Sequence, residues 1–369
     1  MNWKAFKYAL PLLMYLSAVR SFTSSGFPVW ITLCIAFVII PVVELILKPS
    51  EYNAPAAEVE IMRADPVYDW LLYLVVPLQY FALFLYFQHI NDAGLSLADK
   101  MGKVLTMGLF CGVFGINVGH ALGHRSKRSE QFLAKCLLIT SLYTHFFIEH
   151  NRGHHRHVAT PGDPSSAPYR QSLYAFWLRS ITGVYMGAWK IANQQQRRNS
   201  QKVFSFSNEM LRLQISQVLF CIMIVFIFGW SGLFYFLPAA MVGILLLETV
   251  NYIEHYGLTR KEKSPGMFER AMPVHSWNSN HVIGRLFLFE LSRHSDHHYS
   301  ASRKYQLLRH HEHAPQLPTG YPGSMLLALV PPVWFFIMDR QMKKFSGFSK
   351  NTQTDINQLF MFELLNRCM

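Results

Sequence analysis

Histidines at metal-ligand spacing are the residues of this sequence most able to do chemistry. Of the 17 histidines, 16 lie at or after position 120, and eight of these fall into three short boxes. The boxes are His120 with His124, His150 with His154 and His155, and His294 with His297 and His298. Side chains three or four residues apart share one face of a helix, so each box can direct several imidazoles at one metal ion. His255, which ends a long apolar segment, is a further candidate ligand.

Together the boxes and His255 supply nine imidazoles, which are too many for one metal ion and enough for two. Imidazole suits iron, zinc, copper and nickel. A zinc protease is disfavoured, because Ala121 stands where the HExxH motif carries its general base. Zinc hydrolysis would also need fewer ligands. We therefore expect an iron pair that activates oxygen for an apolar substrate.

Carboxylates beside these histidines are candidates for orienting them. A carboxylate that accepts an imidazole N–H fixes the tautomer and the direction of the ring. We expect this role for Glu149, Asp163, Glu254 and Asp296, which lie next to or near the candidate ligands.

The elements that position these residues are apolar segments long enough to cross a membrane. A spanning helix needs about 20 mostly apolar residues, and 51% of this chain is hydrophobic. The sequence predicts six spans, at about 7–22, 28–47, 67–90, 101–120, 214–234 and 236–254. The first is expected to be a retained helix and not a signal peptide, and the last two are expected to break at Pro238. The shorter apolar stretches 132–148 and 324–338 suit interfacial or buried helices.

The charges give the predicted spans an orientation. With six spans, 31 of the 34 basic residues lie on one side, and only Arg20, Lys100 and Lys103 lie on the other. Because basic loops stay in the cytoplasm, both termini are expected there. The predicted organisation is an all-α integral membrane protein. Residues 1–120 would hold four spans, 121–213 a cytoplasmic segment with the second box, 214–254 two spans, and 255–369 a second cytoplasmic segment.

Composition excludes several other classes of protein. The net charge of +12 needs no nucleic acid to explain it, because it follows the sidedness of the membrane and the contact with anionic lipid. The five cysteines form no CxxC pair, which argues against a disulfide framework and against a thiolate metal site. A transporter would have ionisable residues spread along several spans, whereas here the histidines gather at one membrane face.

The ordered motifs resemble those of a known family. The boxes are similar to those of integral-membrane di-iron enzymes, which include desaturases and hydroxylases. The segment NYIEHYGL at 251–258 resembles a signature of alkane 1-monooxygenases and the related xylene monooxygenases. Further matches are FFIEHNRGHH at 146–155, VATPGDP at 158–164, HSWNSNH at 275–281, RHSDHH at 293–298 and LPTGYPG at 317–323.

The resemblance implies six membrane helices capped by a cytoplasmic, helical, histidine-rich di-iron domain in the inner membrane. It implies terminal hydroxylation of medium-chain alkanes with O2, two iron ions held by the nine histidines, and electrons from rubredoxin and its NADH-dependent reductase. Oxidation of methyl groups on aromatics, or of acyl chains, remains an alternative. The sequence departs from the family at Ala121, because the first box there usually reads HELGHK.

Two further expectations concern the substrate and the electron donor. A narrow tunnel between the spans would present one end of an alkane to the iron, and we expect its walls to include Ala36, Trp70, Phe81, Phe84 and Phe87. Rubredoxin is acidic as a class, so a basic face could receive it. The candidate docking residues are Arg152, Arg156, Arg293 and Arg303.

Overall fold

The computed structural model describes residues 3–348, and within them the protein is mostly helical. Seven helices carry the argument below. They are α1 (Phe27–Ile46), α2 (Val67–His89), α3 (Leu97–Gly123), α4 (Leu173–Arg198), α5 (Glu209–His255), α6 (Tyr321–Ala328) and α7 (Pro331–Phe348). Residues 349–369 of the predicted second cytoplasmic segment lie outside the described residues.

Shorter elements connect these helices. The described part of the chain starts with the 3-10 helix Trp3–Leu13 and the α-helix Met14–Phe22. The remaining α-helices are Ala56–Ala64, Arg128–Ile139, Phe146–Glu149, His155–His157, Val282–Phe287 and His294–Tyr299. Two 3-10 turns are Pro273–His275 and Tyr305–Leu307. Strands β1 (Glu262–Ser264) and β2 (Met267–Phe268) form an antiparallel hairpin.

Four helices within residues 3–348 are long and apolar enough to cross a membrane: α1, α2, α3 and α5. They coincide with the predicted spans at 28–47, 67–90 and 101–120 and with the last two together. The predicted first span is not among the four, because it consists of an 11-residue 3-10 helix followed by a 9-residue α-helix.

Helix α5 folds back on itself at Gly229. This glycine has φ +72°, a conformation that side chains rarely adopt. The rings of Phe220 and Phe236 lie 5.7 Å apart, whereas 16 residues of straight helix would separate them by about 24 Å. The two legs of α5 are therefore antiparallel. The predicted break at Pro238 is wrong, since Pro238 lies inside the second leg, where membrane helices tolerate proline.

Glycines let α3 and α5 approach closely. A Cβ at Gly243 of α5 would lie 2.5 Å from the Cβ of Cys111, and one at Gly108 would lie 2.4 Å from the Val242 side chain. Small residues at helix interfaces allow this kind of backbone contact in membranes. The contact fixes the relative position of the two helix ends that carry His120 and His255.

Two buried charged groups tie the spans together. At one end of the bundle, Lys103 of α3 donates to the carbonyls of Phe22 (2.7 Å) and His89 (2.9 Å), both near helix C-termini. A cation suits this position because the carbonyl end of a helix is partly negative. Near the C-terminal end of α1, the Glu44 carboxylate accepts the Gly284 N–H at 2.7 Å. This hydrogen bond joins α1 to the segment that precedes the third histidine box.

Candidate metal centre

Four separate segments bring the nine predicted histidines together. His120 and His124 lie at the end of α3, and His255 is the last residue of α5. The second box runs through the α-helix Phe146–Glu149, the π-helix His150–His154 and the helical turn His155–His157. The third box is the short helix His294–Tyr299.

The nine imidazoles form two groups, in each of which the candidate ligand atoms all lie within 4.8 Å of one another. The five-histidine group comprises His120, His124, His150, His155 and His297. The four-histidine group comprises His154, His255, His294 and His298.

Each adjacent histidine pair is divided between the groups. His154 and His155 belong to different groups, as do His297 and His298, because neighbouring residues on a helix point about 100° apart. In the second box the π-helical turn also changes which histidines share one face of the helix. It brings His150 Nε2 within 3.0 Å of His155 Nε2, five residues on, and leaves His154 for the other group.

The distances between ring nitrogens fit metal ligands better than hydrogen bonds. His294 Nε2 lies 3.1 Å from His255 Nε2 and 2.9 Å from His298 Nε2. A neutral imidazole nitrogen either donates one proton or accepts one, so it cannot satisfy both neighbours. Nitrogens about 2.1 Å from a shared metal would lie about 3 Å apart when adjacent. His124 Nε2 is likewise buried without a hydrogen-bond partner.

Burial keeps these rings neutral. Desolvation, with neighbouring imidazoles acting in the same direction, lowers the pKa of His150, His294 and His297 well below the usual histidine value. A neutral imidazole has a lone pair on one nitrogen, which is the form that binds a metal. The donor set therefore fits the metal pair that the sequence predicts.

Two of the four predicted carboxylates contact the four-histidine group. Asp163 lies 2.9 Å from His154 Nδ1 and also accepts the Ser166 hydroxyl. Burial opposes ionisation of Asp163, but the His154 ring and the hydrogen bonds outweigh it and lower the pKa of this carboxyl. Glu254 lies 3.1 Å from His294 Nε2 and accepts the Tyr321 hydroxyl at 2.7 Å.

The other two carboxylates do not contact any of the nine histidines, which corrects their expected positions. Both carboxylate oxygens of Asp296 lie 2.6 Å from the Arg303 guanidinium, which donates to them. One of these oxygens also lies 2.7 Å from the His311 ring. Glu149 is buried against Gly153 and Gly187. A residue beside a ligand in sequence need not lie beside its ring, since adjacent helical side chains diverge.

An apolar cavity lies between α1, α3, the second leg of α5 and α6. Its walls include Ala36, Phe37 and Ile40 of α1, Leu109 and Val113 of α3, Leu246 and Val250 of α5, and Pro322 and Met325 of α6. Its polar side chains are engaged elsewhere: the Asn117 amide donates to the Leu288 carbonyl, and the Tyr321 hydroxyl donates to Glu254. The cavity therefore suits a molecule without polar groups.

A smaller pocket adjoins this cavity and contains part of the five-histidine group. His120, His124 and His297 line the pocket, together with Ala121 and Arg303. The pocket and the cavity share Asn117, Leu288 and Leu291 in their walls.

The cavity includes only one of the five predicted tunnel residues. Ala36 lines it, but the four aromatic residues of α2 do not, which corrects that prediction. Trp70, Phe81 and Phe84 are exposed on the outer surface of the bundle, and Phe87 stacks on Phe228 at 4.5 Å. Helix α2 contributes no residue to the cavity wall.

The four predicted docking arginines do not form one free basic face. Arg293 is buried, and its guanidinium donates to the carbonyls of Tyr52 and Leu308, which excludes it from a docking surface. Arg303 holds Asp296, and Arg152 pairs with Glu209. Arg156 is exposed.

Sequence reasoning missed two residues of the site. Tyr321 joins the cavity wall to Glu254, and Asn117 stands at the boundary between cavity and pocket. Each had a signal: Tyr321 lies in the LPTGYPG motif, and Asn117 is a polar residue in an apolar span three residues before His120.

Comparison with known proteins identifies the family. Residues 101–326 match the fatty acid desaturase family model. Alkane 1-monooxygenase from Acinetobacter baylyi is 38% identical over 83% of this chain and 74% of its own length. The chain belongs to the alkane 1-monooxygenase family. This confirms the resemblance found in the motifs.

Other relatives agree with this assignment. Alkane 1-monooxygenase from Pseudomonas putida is 39% identical over 84% of this chain and 77% of its own length. The hydroxylase component of xylene/toluene monooxygenase, also from Pseudomonas putida, is 27% identical over 90% of this chain and 86% of its own length.

Proposed function

We propose that this chain hydroxylates the terminal carbon of medium-chain n-alkanes to 1-alkanols with O2, at two non-haem iron ions held by the nine histidines. The observation that carries the proposal is the apolar cavity that adjoins the pocket containing His120, His124 and His297. Relatives at 36% to 42% identity that are named alkane 1-monooxygenases support it.

When bound, the iron pair would activate O2 for insertion into a C–H bond; the protein supplies position and surroundings. The cavity walls exclude water and hold the alkane by shape alone, because an alkane offers no polar group. Leu288 and Leu291, where cavity and pocket meet, would let one chain end reach the five-histidine group. The Asp163 carboxylate accepts the His154 Nδ1–H, which leaves the Nε2 lone pair for the metal.

We further propose six spans with both termini in the cytoplasm of a bacterial inner membrane. The count takes α1, α2, α3, the two legs of α5 and residues 3–22 as one span each. The domains would then follow the predicted boundaries at 120/121, 213/214 and 254/255. The distribution of basic residues supports the orientation.

Electrons would come from rubredoxin and its NADH-dependent reductase. The docking surface would lie on the side of the metal groups, and Arg152 and Arg156 are the exposed members of the four arginines proposed for it.

Product analysis tests the proposed function. Membranes containing the chain, supplied with rubredoxin, its reductase, NADH and octane, are expected to form 1-octanol, which gas chromatography detects. The His255→Ala chain serves as the matched negative control. Methyl-aromatic alcohol from xylene without octanol would favour the alternative that the xylene/toluene relative suggests, and oxidised acyl chains alone would favour a lipid substrate.

A further inference from the structure

Helix α4 has an exposed stripe that changes character along its length. Its buried face is formed by residues four apart, from Phe176 through Ser180 to Ala192. On the opposite face the stretch from the start of the helix to its middle exposes large apolar side chains, with Leu178 at 74% and Met186 at 66%. The second half of the same stripe exposes Lys190, Gln194, Arg197 and Arg198.

Helix α7 changes in the same order. Val333 and Phe336 are exposed in its first half, whereas Arg340 and Lys344 are exposed in its second half. The Arg340 guanidinium lies 3.9 Å from the centre of the Phe336 ring, so it covers the end of the apolar stripe.

The apolar halves of the two helices meet. The Tyr174 hydroxyl of α4 donates to the carbonyl of Leu329, in the turn before α7, at 2.7 Å. We call the exposed apolar residues of the two halves the apolar shelf: Tyr174, Leu178, Met186, Leu329, Val333 and Phe336.

The shelf lies beside the end of a membrane span. The Trp177 indole N–H donates to Thr249 at 3.1 Å, and the Ser180 hydroxyl donates to Glu248 at 2.5 Å. Both acceptors lie in the last two turns of α5, which ends at the candidate ligand His255. The shelf is therefore level with the end of this span that carries the metal groups.

We propose that the apolar shelf lies within the bilayer interface, with α4 and α7 as oblique helices whose first halves contact lipid and whose second halves lead out of the membrane. Apolar side chains would enter the boundary of the acyl chains, and the basic second halves would meet anionic headgroups and water. The surface is continuous with a spanning helix, and both helices run in the same order from apolar to basic. A soluble partner or a second copy of the chain would explain neither the continuity nor the shared order.

Spin-label accessibility in nanodiscs of phosphatidylethanolamine and phosphatidylglycerol tests this placement. Single labels at Leu178→Cys, Met186→Cys and Val333→Cys, in a chain whose five native cysteines are replaced, sample the shelf. Gln194→Cys and Lys344→Cys are matched controls on the same stripes. Each labelled chain must retain the metal content of the unlabelled parent, which shows that the fold is intact.

We expect labels on the shelf to collide readily with O2, which concentrates in lipid, and rarely with a water-soluble nickel chelate. The two control labels should show the opposite preference. High collision with the chelate at 178 and 186 would overturn the proposal, because the shelf would then face water. Low collision with both reagents would overturn it as well, because protein would cover the shelf. The outcome does not depend on whether the chain hydroxylates alkanes.

Discussion

The two histidine groups differ in how they are held and in what they face. In the four-histidine group all members are buried, Asp163 contacts His154, and Glu254 contacts His294. In the five-histidine group His124 and His155 are only partly buried, and no carboxylate among residues 3–348 contacts its rings. Three of its members line the pocket that adjoins the apolar cavity.

This difference indicates a division of work between the two sites. The four-histidine group is built for a fixed geometry, since the Asp163 carboxylate orients the His154 ring through Nδ1. The five-histidine group is the one that a molecule from the cavity would reach. Substitutions in each group, and at the boundary between the cavity and the pocket, test this division.

Removing one ligand from each group should have the largest effect. His255→Ala and His297→Ala each leave a metal position incomplete, so we expect iron to fall from about two ions per chain by at least one, with loss of octanol formation. Elemental analysis of purified protein measures this. His313→Ala, an exposed histidine outside both groups, is the control. Full iron in both ligand variants would contradict the assignment of the nine histidines.

Neutralising Asp163, one of the two carboxylates that contact the four-histidine group, should have the next largest effect. Asp163→Asn keeps the shape but removes the charge that orients His154, so we expect iron affinity to fall by about 10-fold to 100-fold. Competition with a chelator measures the change. Asp339→Asn, which removes a carboxylate paired with Arg170 at the surface, should leave the affinity unchanged. Equal affinities for the two variants would remove the proposed difference in how the groups are held.

Blocking the boundary between cavity and pocket tests which group the substrate reaches. Leu288→Trp would fill the shared wall, so we expect octane turnover to fall by at least about tenfold while iron content stays constant. Phe84→Trp, at an exposed position on α2, is the control. Unchanged turnover with Leu288→Trp would show that the alkane reaches the metal pair by another route.

Restoring the carboxylate that the family usually has should have the smallest effect. Ala121 lines the pocket of the five-histidine group together with Arg303. Ala121→Glu should leave the iron content unchanged and alter turnover by less than about tenfold, the lower bound for residues behind a ligand. Ala121→Gln separates charge from volume. Loss of iron with Ala121→Glu alone would show that charge in this pocket competes for the metal.

The sequence predicts which histidines lie together better than how they divide into two groups. Box spacing correctly places His120 and His124 in one group, because the two residues lie about one helical turn apart. It does not predict that His150 and His154 belong to different groups. That separation depends on a π-helical turn, for which the sequence offers no clear signal.

The membrane part shows a similar limit. The apolar blocks predict where spans occur. They do not predict that the chain reverses at Gly229 instead of at Pro238. The cavity was also hard to predict. Aromatic content favours α2, whereas the walls combine aliphatic and aromatic residues from other segments. Their proximity depends on glycine contacts such as Gly243 against Cys111.

The divided histidine pairs have a consequence for the spacing between the two groups. The bond between His154 and His155 and the bond between His297 and His298 each cross from one group to the other. A peptide unit is planar and fixes the distance between consecutive Cα atoms at about 3.8 Å. The separation of the two histidine groups therefore depends on the main chain as well as on side-chain rotation. A shift of either helical turn would move one histidine of each group together.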